Sequence, residues 1–204
     1  MIAVVDYDAG NIMSVCKALD FLGEKYIFTR DKETILNADR VILPGVGAFG
    51  DAMNNLNSYG LTDVLHKFVE SGKPFLGICL GMQLLFEESE ESAGVTGLSL
   101  LKGKCLKIPA DKGLKVPQIG WNSLSFPKRG RLFKDIPDNS FVYFVHSYYV
   151  HAEDYSDVAA ECEYGVTVVH AAAEHNNIFG CQFHPEKSSE VGLQILKNFA
   201  TLQV

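Results

Sequence analysis

The sequence is short of several things, and each shortage removes a class of protein. It has no C-x-x-C pair. Its five cysteines, Cys16, Cys79, Cys105, Cys162 and Cys181, are odd in number and scattered. Neither a zinc knuckle nor a dithiol redox pair is signalled, and a reducing cytosol is the simpler setting. Basic charge is scarce: 18 Lys and Arg stand against 25 Asp and Glu, a net charge of -7, the reverse of a general nucleic-acid binder. No apolar run approaches a membrane span, and Met1 to Asp6 has no room for the basic and apolar parts of a secretory leader. Repeats, low-complexity tracts and linkers are missing, so residues 1–204 are expected to form one cytoplasmic domain.

What is present is a core. Hydrophobic residues make up 47% and charged residues 21%, which argues against disorder. Ile2–Val5, Tyr26–Phe28 and Val41–Leu43 read as short buried strands. Between them, Ile12, Val15, Cys16, Leu19 and Leu22 recur at helical spacing up to Gly23, and a short helix is predicted over 34–38. Leu61, Val64, Leu65, Phe68 and Val69 make a further amphipathic helix. The alternation predicts an α/β fold with a mostly parallel central sheet flanked by helices. The rhythm then changes. Strand-like runs at 104–108, 124–126, 141–145, 158–160, 167–169 and 178–183 follow with little helix between them. They predict a mainly antiparallel β extension that returns strands to the central sheet. A last helix around Ile195, Leu196 and Phe199 is expected to be capped by Ser188 or Ser189. Nine of the 18 Lys and Arg fall between Lys102 and Lys134; a solvated loop face is the plain reading of that cluster.

The chain is organised around Pro74–Phe86. Phe75, Leu76 and Ile78 form a buried strand, Gly77 and Gly81 bracket Cys79, and a helix is predicted to run on from there into the acidic stretch Glu87–Glu91, its solvated end. Small residues two positions either side of a nucleophile allow the tight strand-turn-helix elbow. The helix would direct its positive end at the sulfur and favour thiolate. A lone G-x-C-x-G is also met as a small buried thiol, so the reading depends on a base and on oxyanion donors elsewhere.

His184 follows an apolar strand and precedes Pro185-Glu186. It lies at the strand edge where open α/β sheets place ligands, and Glu186 is near enough to orient it as the acid of a triad does. Oxyanion donors are expected from the Leu80 amide and from the glycine-bearing loop Pro44-Gly45-Val46-Gly47 after another strand. Taken singly, His-Pro-Glu and a Gly-rich turn are common; three features at one sheet edge are harder to dismiss.

Gly77-Ile78-Cys79-Leu80-Gly81-Met82-Gln83, Pro44–Gly47 and Phe183-His184-Pro185-Glu186-Lys187-Ser188 together resemble the class I, triad-type glutamine amidotransferases, which have a flavodoxin-like sheet. Within that family, Pro-Gly-Val-Gly, Gly10-Asn11, Gly120-Trp121-Asn122 and Phe144–Tyr148 are similar to the glutaminase subunits serving imidazole glycerol phosphate synthesis in histidine biosynthesis. The resemblance implies hydrolysis of L-glutamine to L-glutamate and ammonia through a thioester on Cys79. His184 would be the base and Glu186 its orienter. Gly45, Val46, Gly47 and Leu80 would form the oxyanion site, and Gly47, Gln83, Ser147 and Tyr148 the substrate pocket. No metal or other cofactor is implied. The ammonia would pass to a separate (β/α)8-barrel cyclase subunit in a heterodimer, with Asn11, Trp121, Asn122 and Lys187 at the interface. Relatives of this kind are nearly idle alone, which implies oxyanion donors out of alignment until the partner binds. Asp8-Ala9 departs from the Gly plus apolar residue of many relatives, and Ser147 stands where Thr is equally expected. A subunit for another synthase, a PfpI-type protease or stress protein on a similar sheet, and a catalytically dead binding module are the rival readings.

Overall fold

A computed structural model of the chain describes residues 1–110 and 114–203. Three short α/β steps come first: β1 (Ile2–Val5), α1 (Ile12–Leu22), β2 (Tyr26–Thr29), α2 (Lys32–Asn37) and β3 (Arg40–Leu43). Gly23, at φ 73°, ends α1 by bonding its N–H to the Asp20 and Leu19 carbonyls, as a left-handed cap should. Two helices follow, α3 (Phe49–Ser58) and α4 (Thr62–Glu70), then β4 (Phe75–Ile78) and α5 (Leu80–Gln83). The second half contributes β5 (Glu88–Ser89), β6 (Gly103–Lys107), β7 (Gln118–Ser123), β8 (Phe141–His146), β9 (Tyr148–Ala152), β10 (Val158–Tyr164), β11 (Thr167–His175), β12 (Ile178–Cys181) and α6 (Ser189–Thr201).

The main sheet has seven strands in the order β10-β11-β12-β4-β3-β1-β2. From β12 to β2 all pairings are parallel; β10 and β11 run antiparallel. The predicted mostly parallel sheet with an antiparallel second-half contribution is therefore what the chain builds. β1, β4 and β12 are buried at every position, as strands covered on both faces must be. Two apolar layers cover the sheet. One contains Val4, Leu19, Ile78, Phe144, Phe183 and Phe199, the other Val5, Leu43, Phe49, Leu56, Phe68 and Phe86. Smaller sheets, β5-β6-β9 and the β7-β8 ribbon, wall off the carboxyl end of β4.

Several expectations need correction. The helix after Cys79 is one turn, not a helix reaching Glu87–Glu91. Leu84, Leu85 and Glu87 instead give their carbonyls to Leu98, Leu100, Leu101 and Gly97, so a returning segment replaces the next turn. Gly97 lets it come close, since a Cβ there would stand 2.1 Å from the Phe86 carbonyl oxygen. The acidic stretch is not a solvated helix end: Glu88–Ser89 is β5, and Glu91 accepts the Phe49 N–H at 2.8 Å. The strand predicted at 124–126 lies earlier, at 118–123, and β9 and α3 received no assignment. The buried Phe49, Ala52, Met53 and Leu56 do carry helical spacing; the asparagines between them obscured it. Ser188 is the α6 cap by position only, because its hydroxyl is used elsewhere. In the basic segment, Lys102, Arg129 and Arg131 pair with Glu87, Asp138 and Glu174; Lys112 and Asp111 lie outside the described residues. Asp8 takes φ 61°, a conformation that Gly adopts freely and Asp tolerates.

The elbow itself fixes how closely α5 can approach the sheet. A Cβ on Gly81 would lie 1.7 Å from the Leu43 carbonyl oxygen, and one on Gly77 would lie 2.5 Å from that of Gly81. Backbone cannot yield as a flexible side chain would. Gly81→Ala is therefore expected to lower unfolding free energy by about 3 kcal/mol, at the upper end for overpacking. Denaturant titration checks this; a loss under roughly 1 kcal/mol would show that the elbow has slack.

Candidate active site

Cys79 sits at the carboxyl end of β4 with φ 53° and ψ −107°, a region that side chains rarely occupy and that costs on the order of 1–3 kcal/mol. The strain is held on both sides. Cys79 N–H donates to the Cys181 carbonyl at 2.7 Å, and the Cys79 carbonyl accepts the Gln83 N–H at 3.2 Å. This turn sends the sulfur into a cavity of about 300 Å³ whose wall includes Val46, Gly47, Cys79, Leu80, Gln83, Ser147 and Tyr148. Val145, His146, Glu91 and Pro117 complete it; none of these four was assigned to a site from the sequence. β8 and the β8-β9 turn supply Val145, His146 and Ser147, so the antiparallel extension makes the far wall.

His184 arrives from the end of β12. Its Nδ1 lies 2.7 Å from Glu186 Oε1, with both side chains fully buried. The Glu186 oxygen also accepts from Asn11 Nδ2 at 2.8 Å. Asn11, expected at the partner surface, thus also reaches the acid from the first βα turn. Ser188 locks the imidazole's backbone: its hydroxyl donates to the His184 carbonyl at 2.6 Å and accepts the Tyr143 N–H at 2.9 Å. The His184 N–H in turn donates to the Tyr143 carbonyl. Burial opposes the imidazolium, but the neighbouring Cys79 sulfur and the Glu186 carboxylate outweigh it and push His184 up to about 9; His184 Nε2 itself is buried without a hydrogen-bond partner among the described residues. His146, whose Nδ1 bonds the Tyr148 carbonyl, is pushed down to about 4, chiefly by burial.

The oxyanion loop is pinned from behind. The buried Tyr7 hydroxyl donates to the Pro44 carbonyl at 2.6 Å, and burial keeps that phenol protonated. A Cβ on Gly45 would stand 2.1 Å from the Tyr7 oxygen, and Gly47 takes φ 117°, so both positions call for glycine. The Leu80 N–H donates to the Gly45 carbonyl at 3.3 Å. One expected oxyanion donor is therefore engaged, and the Gly45 carbonyl occupies its direction. Gln83 is buried, not a surface glutamine; its Nε2 bonds the Tyr148 carbonyl at 2.8 Å.

Trp121 is 52% exposed on β7, which excludes a core role. Asn122 is partly engaged through the Glu163 carbonyl, and Lys187 is exposed beside the buried Glu186. Among the described residues no cluster of His, Cys, Asp and Glu has metal-binding geometry, and no helix is long and apolar enough to cross a membrane.

Fold and site together point to an amidotransferase, and comparison with known proteins gives that class. The family profile described as glutamine amidotransferase class-I matches residues 3–202, and the chain belongs to that family. Within it, the chain is 50% identical over 201 residues to imidazole glycerol phosphate synthase subunit HisH of Moorella thermoacetica, covering 98% of this chain and 94% of that one. It is 48% identical over 206 residues to the HisH subunit of Bacillus subtilis, with 99% and 96% covered. Among solved structures, one titled as a glutamine amidotransferase superposes with a TM-score of 0.73 at 20% identity, over 98% of this chain and 99% of that one. PurLQS of Thermotoga maritima gives 0.70 at 23%, with 97% and 96% covered. These two speak for the fold alone.

The buried histidines set a pH window. His184, raised, contributes stability that is fully present below about 6.5 and is lost as pH rises through about 9. His146, and His170 likewise lowered to about 4 by burial, contribute stability present above about 6.5 and lost as pH falls through about 4. Unfolding free energy is expected to peak near pH 6.5, and His146→Gln should flatten the acid limb. Urea titrations from pH 4 to 9 test both; an acid limb of unchanged slope in His146→Gln would rule out that assignment.

Proposed function

We propose that Cys79, His184 and Glu186 are the groups with which this chain hydrolyses L-glutamine to L-glutamate and ammonia for the cyclase reaction of histidine biosynthesis. The observation that carries the assignment is the buried Glu186–His184 pair, 2.7 Å apart, beside a strained cysteine in a cavity of about 300 Å³. His184 has given Nδ1 to Glu186, which leaves Nε2 for the sulfur. Nε2 takes the thiol proton as sulfur attacks the side-chain amide carbon, then delivers it to the departing ammonia. A water activated by the same imidazole cleaves the thioester, releasing glutamate and restoring the thiol. Gln83, Gly47, Ser147 and Tyr148 hold the substrate's polar groups along the cavity wall.

The developing oxyanion needs at least two donors. In the resting arrangement the Gly45 carbonyl takes the Leu80 N–H. Rotating the Gly45–Val46 peptide would turn that carbonyl away, free Leu80 and present the Val46 N–H. Glycines at 45 and 47 keep the rotation sterically open. We assign the trigger to the partner: a separate cyclase subunit with a (β/α)8 barrel, forming a heterodimer through Asn11, Trp121, Asn122 and Lys187. Asn11 joins that surface to Glu186 through a 2.8 Å hydrogen bond. The enzyme would work in the cytoplasm as one glutamine amidotransferase domain.

Glutaminase activity measured with and without the cyclase subunit and its ribotide ligand tests this reading. The isolated chain should be nearly idle and the liganded complex fast. In the complex, Cys79→Ala and Glu186→Gln should each lose on the order of 10⁴-fold in kcat. Full activity of the isolated chain would refute the closed oxyanion loop as a brake; unimpaired Cys79→Ala would refute the nucleophile. For the interface, Trp121→Ala should weaken the complex by about 2 kcal/mol, roughly 30-fold in Kd. Calorimetric titration showing wild-type affinity would remove Trp121 from that surface.

A further inference from the structure

Gln182 is the residue between the end of β12 and His184 that the mechanism leaves unused. Its side chain is wholly buried, 0% exposed, and its backbone N–H is fixed to the Ala171 carbonyl at 2.8 Å. A buried amide must find partners for both ends. One end lies 3.9 Å from the Cys79 sulfur; the other lies 3.2 Å from Gln83 Nε2.

Amide oxygen and nitrogen are assigned from their surroundings, and here one atom decides both amides. The Tyr148 carbonyl can only accept, so the Gln83 atom 2.8 Å from it is the NH2. That nitrogen has a second hydrogen directed at Gln182, so the Gln182 atom it meets is the oxygen. The Gln182 NH2 is then the end facing the sulfur, and the carbonyl oxygen of Gln83 is the end left for the cavity. A backbone carbonyl on β9 thereby fixes a donor at the nucleophile and an acceptor toward the substrate. The Val145 carbonyl lies 4.0 Å from the same sulfur and accepts from the thiol. Val145 serves S–H; the Gln182 N–H serves S⁻.

We propose that Gln182 is a positioning residue of the glutaminase site, directing an N–H at the Cys79 sulfur that favours its thiolate and holding Gln83 with its acceptor toward the ligand. The inference rests on Cys79 as the reactive group, the reading given above, and adds the polarity of its surroundings. The titratable groups around the sulfur are His184 with its partner Glu186, His146, Tyr7 and Glu91; a replacement at 182 leaves each of these side chains in the sequence.

Two replacements of similar length separate this role from simple filling. Gln182→Met keeps the volume without a donor or a strong acceptor. Gln182→Glu keeps an acceptor for Gln83 and, once ionised, sets a negative charge beside the sulfur. The readout is the pH dependence of iodoacetamide labelling at Cys79, followed by peptide mass spectrometry on the full chain, with melting temperature verifying the fold. The midpoint should rise by ~1 pH unit in Gln182→Met and further in Gln182→Glu. An unmoved midpoint in the folded variants overturns the proposal. Iodoacetamide reads the sulfur whether or not glutamine is hydrolysed. A wild-type complex inactive on glutamine, with the midpoint shifted in the variants, would refute the glutaminase assignment alone, and an active wild-type complex with the midpoint unshifted in the variants would refute the role of Gln182 alone.

Discussion

The arrangement depends on one close approach, the turn of α5 against the backbone of β3. Gly81 has no room for a Cβ in front of the Leu43 carbonyl, and this contact lets Cys79 sit at φ 53° instead of relaxing into a continuous helix. The neighbouring strands then have fixed tasks. β3 ends in the Pro44–Gly47 loop, β12 ends in Gln182 and His184, and β1 ends in the turn bearing Asn11. Parallel pairing brings these carboxyl ends to one edge. The site is thus a consequence of strand order, which sets three βα connections and one β12 exit around a single sulfur.

A second constraint is electrostatic. Glu186 is fully buried as a side chain, and an ionised carboxylate there requires charged or hydrogen-bonded company. It receives His184 and Asn11 on the same oxygen. The acid is therefore held both by the base it orients and by a residue of a distant loop. His146 differs although it stands in the same wall. Burial lowers it, and nothing anionic offsets the loss of water. Two histidines within one site are thus driven in opposite directions, and only the one with a carboxylate partner is suited to carry a proton at neutral pH.

The parts of the site legible in the sequence were those written in local spacing. Gly77-x-Cys79-x-Gly81, His184-x-Glu186 and Pro44–Gly47 each announce a turn or a pair within a few residues, and the apolar runs announced the parallel strands. What escaped notice joins residues far apart. Glu91 caps α3 across 42 positions of sequence, Tyr7 pins the Pro44 carbonyl across 37, and Ser188 ties His184 to β8. A serine before a helix reads locally as a cap; only the fold shows its hydroxyl turned inward. The length of α5 escaped for the same reason, because its next turn is replaced by hydrogen bonds from 97–101. Helical propensity there loses to a tertiary partner.

These long-range ties bear on the proposed switch at the Pro44–Gly47 loop. Tyr7 holds the Pro44 carbonyl, so the loop cannot retreat as a body, while Gly45 and Gly47 leave the peptides beyond it free to rotate. The Gly45 carbonyl accepts the Leu80 N–H, which on the proposed reading is also the donor that the elbow would provide for an oxyanion. Closed and open states therefore compete for one hydrogen, and the difference between them is on the scale of a single hydrogen bond, about 1 kcal/mol net. A gap that small is within reach of a binding partner that prefers one state. On the proposed reading the loop's glycines and its one shared donor thus form a single device: stable enough to withhold the oxyanion site, and shallow enough for contacts made at an exposed edge to reverse it.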